Sequence, residues 1–174
     1  MASARRLTPA ALAALDRTEF VDFLGAVFEH SPWVAEVAWQ SRPFASLAAL
    51  HQAMTQAMRA AAPERQLALL RAHPELASKA ALAGDLTRES AVEQASAGLD
   101  RCTLEELANL REGNQAYQEK FGFPFIMAVK GKSKREILDA LSERLRHTRE
   151  LEFSQALDEV ANIARFRLAD LVES

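Results

Sequence analysis

Apolar residues recur along this chain at helical spacing, and the breaks between the runs carry helix start and stop signals. Thr8 followed by Pro9 predicts an N-cap with proline at the first helical position, opening the Ala/Leu run from Ala10 to Leu15. Phe20, Phe23, Leu24, Val27 and Phe28 share one helical face, and Ser31-Pro32 starts a further helix around Trp33 to Trp39. Leu47, Leu50, Met54, Ala57 and Met58 mark a longer amphipathic helix. Pro63 opens the next, which must stop before Pro74. Thr87 caps a helix carrying Ser90 to Leu99. Thr103 with Glu106, and Ser133 with Glu136, form capping-box patterns for helices ending near Lys120 and His147. A last helix runs from about Glu150 to Leu171. Alternating strand patterns are nearly absent, and the one short apolar run, Phe125 to Val129, has no evident strand to pair with. The pattern predicts an all-α, single-domain bundle over residues 1–174, of about eight to nine helices with short loops.

Composition narrows the function more than the fold. The chain has 174 residues, 49% of them hydrophobic, but no apolar run approaches the length of a membrane span. A net charge of −3 supplies no basic field to recruit nucleic acid. Arg5 and Arg6 are not followed by an apolar stretch of the kind a signal peptide needs, and the last four residues match no peroxisomal or retention signal. Cys102 is the single cysteine, which fits a reducing, cytoplasmic setting and leaves a thiol nucleophile without a local partner. No metal-ligand spacing, dinucleotide fingerprint or P-loop occurs.

Four scattered features could carry chemistry. Pro74 forces His73 off the helical region into a loop just past a helix end, where it serves either as an acid/base or as a C-terminal cap. Ser90, Glu93 and Gln94 stack on one helix face, offering a hydroxyl, a carboxylate and an amide. That face suits a small substrate rich in N–H and C=O groups, or else is simply solvated. Ala91, Val92, Ala95 and Leu99 are expected to pack inward on the other side. The Phe121-Gly122-Phe123-Pro124-Phe125-Ile126 stretch concentrates three phenylalanines in a connection. It either aims backbone N–H groups at a ligand or plugs the core. Arg167 lies on the apolar stripe of Val160, Ile163 and Leu171, so its guanidinium must snorkel out or find an anionic partner. Lys130, Lys132, Lys134 and Arg135 form a basic cluster that either meets phosphate or decorates a loop and a helix start.

Taken in order, these segments resemble the OHCU decarboxylase family, enzymes of urate degradation acting on 2-oxo-4-hydroxy-4-carboxy-5-ureidoimidazoline. The matching residues are His73-Pro74-Glu75-Leu76, the Ser90 to Gln94 run preceded by Thr87 and Glu89, Ala97-Gly98-Leu99, Phe121 to Ile126, and Arg167-Leu168-Ala169-Asp170-Leu171. The resemblance implies an all-helical, usually dimeric carboxy-lyase that needs no metal and no organic cofactor and makes (S)-allantoin and carbon dioxide. It matches His73 to the family's catalytic histidine, Glu93 to a substrate-contacting position and Arg167 to the arginine of the C-terminal helix, and these three are expected to be the catalytic groups. It also implies substrate contacts from Pro74, Ser90 and Gln94, and from the backbone of Phe125, Ile126, Met127, Ala128 and Val129. Met127 stands where the family carries smaller or branched apolar residues. Such a substrate holds its own electron sink, the ring C=N beside the departing carboxylate, which accounts for the lack of a cofactor motif. Two alternatives stay open: a decarboxylase or hydrolase of a related ureido or purine-derived compound, and a helical interaction module that docks through the phenylalanine loop and the basic cluster.

Overall fold

The computed structural model describes residues 6–77 and 86–173; Arg5 and Ser174 lie outside that range. Nine α-helices occur among the described residues: α1 (Pro9–Ala14), α2 (Arg17–Leu24), α3 (Trp33–Ala38), α4 (Leu47–Arg59), α5 (Pro63–Ala72), α6 (Arg88–Ser96), α7 (Leu104–Phe121), α8 (Lys134–Arg144) and α9 (Arg149–Leu171). Two single-turn 3-10 helices, Trp39–Ser41 and Leu99–Arg101, follow α3 and α6. The described residues form no strand, only one isolated bridge between Leu7 and Val172. Among the described residues, no helix is long and apolar enough to cross a membrane.

The caps act where the sequence puts them. Thr8 accepts from the Ala11 N–H at 3.1 Å, and Pro9 opens α1. Thr103 with Glu106, and Ser133 with Glu136, close reciprocal capping boxes on α7 and α8, satisfying N–H groups that a helix start leaves without partners. Asp16 and Glu19 form a third box on α2. Helix α7 stops at Gly122, whose φ of 82° is open to glycine and costly for residues with a Cβ.

Three ends differ from expectation. Helix α2 stops at Leu24, although Val27 and Phe28 beyond it are buried, so these two reach the core from a turn. Helix α6 stops at Ser96 because Gly98 turns left-handed, with φ 72°, and Leu99 begins a separate 3-10 turn. Helix α8 ends at Arg144, short of His147.

Contacts divide the chain into two compact units. One holds the residues up to Leu69 and those from Ala161 onward; the other is Leu70–Val160, so the divisions fall within α5 and α9. In the first unit the inward face of α4 buries Leu50, Met54, Ala57 and Met58. Gln66 donates to the carbonyls of Met58 and Arg59 at 3.2 and 2.9 Å, capping the end of that helix. The terminal segments zip together through Leu7 N–H to the Leu171 carbonyl and Glu173 N–H to the Leu7 carbonyl, at 3.0 and 2.9 Å.

In the second unit, aromatic rings build the core. Tyr117 lies 4.6 Å from Phe121 and meets Phe123 and Phe125 edge-on at 5.9 and 5.4 Å, between ring centroids. Full burial of such a ring stabilises by roughly 1.5–3 kcal/mol, so the phenylalanine loop is anchored as part of the core.

Candidate active site

His73 follows the last residue of α5. Its N–H still reaches the Leu70 carbonyl at 3.2 Å, and Pro74 then prevents another helical turn. The side chain is buried, at 7% exposure. The loop after it is pinned from two helices. Asn114 on α7 donates to the Leu76 carbonyl at 2.8 Å, and the Ala77 N–H donates to Gln94 Oε1 on α6 at 3.0 Å. Ala77 has φ 52°, a left-handed conformation that a non-glycine residue keeps only where its surroundings fix it. Arg71, on the last turn of α5, donates to the Gly122 carbonyl at 2.9 Å and so ties this helix end to the start of the phenylalanine loop.

Helix α6 turns its polar side inward. Ser90 and Gln94 are buried and Glu93 is half-buried, whereas Ala91, Val92 and Ala95 are exposed. The expected inward packing of those three apolar residues is therefore corrected; only Leu99, beyond the helix, is buried as expected. The physical reason is Gln94, whose bond to the buried Ala77 N–H fixes which face of the helix meets the rest of the unit.

The 125–129 segment has neither helical nor strand hydrogen bonding. Phe125, Ile126 and Val129 are buried; Met127 and Ala128 are half-exposed. Behind it sits a buried polar cluster that the sequence reading did not single out. Arg144 donates through Nη1 to the Ile126 carbonyl at 2.6 Å and through Nε to Glu152 at 2.7 Å, with its guanidinium 4.7 Å from the centre of the Phe125 ring. Tyr117 also donates to Glu152, and His147 Nδ1 lies 2.8 Å from the other carboxylate oxygen. Burial, reinforced by the bond to Glu152, pushes the Tyr117 phenol far above its ordinary range, so it remains a donor at neutral pH.

In the first unit, Arg167 is buried and resolves the choice its sequence position posed. Its Nη1 meets Glu29 Oε2 at 2.8 Å, with the carbonyls of Ala26 and Val27 at 3.4 and 3.5 Å. It does not snorkel. Glu29 was not visible as its partner because 138 positions separate the two. Within the basic cluster, Lys134 pairs with Glu106 at 2.6 Å, Lys132 with Glu136 at 3.6 Å and Arg135 with Asp139 at 3.8 Å. Burial raises the Cys102 thiol above its usual range, which disfavours the thiolate.

The second unit thus brings together the loop after His73, the polar face of α6 and, through Arg71, the phenylalanine loop. Arg167, with Glu29, belongs to the first unit. Comparison with known proteins agrees with the family resemblance. A family model described as OHCU decarboxylase matches residues 13–169. The 2-oxo-4-hydroxy-4-carboxy-5-ureidoimidazoline decarboxylase of Halalkalicoccus jeotgali is 46% identical over 95% of this chain and 92% of its own. Among solved structures, an (S)-allantoin synthase superposes with a TM-score of 0.78 at 31% identity, covering 97% of this chain; the match spans 55% of that longer chain. An OHCU decarboxylase crystallised in the presence of (S)-allantoin gives a TM-score of 0.63 at 27% identity, over 80% of this chain and 89% of its own. With a family match across most of its length and a close relative aligned nearly end to end, this chain belongs to the OHCU decarboxylase family.

Proposed function

We propose that this protein is an OHCU decarboxylase in which His73 delivers a proton to one face of the substrate ring, forming (S)-allantoin. The observation that carries the reading is the inverted face of α6: Ser90 and Gln94 are buried where a merely structural helix would place apolar residues, and Gln94 is bonded into the loop that begins with His73.

The chemistry asks little of the protein beyond placement. Loss of carbon dioxide breaks the bond between ring carbon and carboxylate, and the electron pair moves into the adjacent ring C=N. One proton must then reach carbon from one side. A positioned general acid contributes about a hundred- to ten-thousand-fold, and a fixed donor also decides the hand of the product. In this reading Glu93 orients His73 or the substrate. Pro74, Ser90 and Gln94 line the substrate. Because the Gln94 oxygen already accepts from Ala77, its NH2 is the end left to donate to a substrate carbonyl. The backbone of residues 125–129 holds the ring. Arg167, held in the first unit by its pair with Glu29, carries a guanidinium fork of the kind suited to a carboxylate or urea-like carbonyl.

The same reading carries a homodimer in the cytoplasm, supported by the family's usual assembly and by a sequence with one cysteine. The test is to feed freshly generated OHCU and follow circular dichroism. Wild-type protein should accumulate optically active allantoin faster than the spontaneous background. Glu93→Gln, which keeps shape and removes charge, should slow turnover by roughly ten- to a hundred-fold. An inert wild-type protein would overturn the activity; an unaffected Glu93→Gln would remove the carboxylate from the mechanism.

A further inference from the structure

We propose that Glu159 and Arg144 are positioning residues that aim the peptide N–H and C=O of Met127 at the substrate; this rests on the reading that the 125–129 backbone holds the substrate ring. Two contacts fix this segment from behind. Arg144 Nη1 donates to the carbonyl of Ile126 at 2.6 Å, and the N–H of Ala128 donates to Glu159 Oε2 at 2.9 Å. Glu159 is in turn steadied by Gln155, whose Nε2 donates to the other carboxylate oxygen at 3.2 Å, one turn earlier on α9.

These contacts grip the two peptide units on either side of Met127. A peptide is planar, and in the trans form its C=O and N–H point in opposite directions. Holding the Ile126 carbonyl toward Arg144 therefore turns the Met127 N–H away from Arg144. Holding the Ala128 N–H toward Glu159 likewise turns the Met127 carbonyl away from Glu159. Neither Met127 group hydrogen-bonds to the described residues, and Met127 and Ala128 are the half-exposed members of an otherwise buried segment. A donor and an acceptor on one residue complement a ligand edge that carries C=O beside N–H, as a cyclic amide or ureide does. The pair thereby selects for that edge, and it works only while both flanking peptides are held.

Glu159 is the better residue to test, because it is half-buried and its loss leaves the aromatic core untouched. Glu159→Gln keeps an acceptor for Ala128; Glu159→Leu removes it. The Leu variant should raise KM for OHCU about ten-fold with little change in Tm, and Gln should restore it, since one hydrogen bond from the Ala128 N–H governs the alignment. Amide exchange at Ala128, followed by NMR without substrate, should be slow in wild type and Gln and fast in Leu. Unchanged KM and kcat in the Leu variant would overturn the proposal, as would a Tm loss that Gln does not rescue. The exchange measurement separates this proposal from the activity it rests on. An unprotected Ala128 amide in wild type overturns the positioning claim, whereas protection in a protein inert toward OHCU faults the substrate assignment alone.

Discussion

Helices α4 and α6 solve the same packing problem in opposite ways. The inward face of α4 is Leu50, Met54, Ala57 and Met58, so its position follows from removing apolar surface from water. The inward face of α6 is Ser90 and Gln94, while Val92 keeps 64% of its surface exposed. Helix α6 is therefore not docked by an apolar stripe. Specific hydrogen bonds hold it, chiefly that from the Ala77 N–H to Gln94, together with the burial of Ala97 and Leu99 just past its end. A helix that buries its polar groups forgoes hydrophobic stabilisation, and it retains them when those groups have a task that apolar side chains cannot perform.

This contrast can be broken at either helix. Met54→Ala should cost about 2–5 kcal/mol of unfolding free energy, read by urea denaturation, with kcat per folded molecule unchanged. A matching loss of kcat would show that α4 is more than scaffold. Gln94→Leu should cost less, about 1–3 kcal/mol, because it leaves the Ala77 N–H buried without an acceptor. It should nonetheless lower activity far more than Met54→Ala does. If the leucine stabilised the protein without loss of turnover, the inverted face would have no functional meaning. Val92→Ser, on the outward apolar side, should shift stability by no more than about 0.5 kcal/mol and leave kinetics alone. A larger penalty would reveal that this face is covered.

Local signals made most helices legible. Capping boxes at Thr103 and Ser133 and the proline at Pro63 marked starts closely, because a cap is decided by residues three positions apart. Ends were less legible where the apolar pattern continued past the hydrogen bonding, as at Val27 and Phe28, which are buried yet lie in turns. The facing of α6 was misread for a related reason. With its apolar residues small and few, periodicity did not decide the face, and the deciding bond joins Gln94 to a residue 17 positions away. The same limit hid Glu29, Glu152, Glu159 and Asn114. Each looks like an ordinary helix or turn polar residue until folding brings Arg167, Arg144, Ala128 or Leu76 beside it. His73 and Arg167 were legible because each breaks a local rule, one by the proline that follows it and one by a charge on an apolar stripe.

The account turns on whether the buried imidazole at the end of α5 is the proton donor. The most direct measurement is circular dichroism of allantoin formed from fresh OHCU by His73→Ala, with folding verified by an unchanged thermal transition. A fixed donor predicts product at the spontaneous rate and without net optical activity, a loss of about a hundred- to ten-thousand-fold. Optically pure (S)-allantoin formed at near wild-type rate would contradict it.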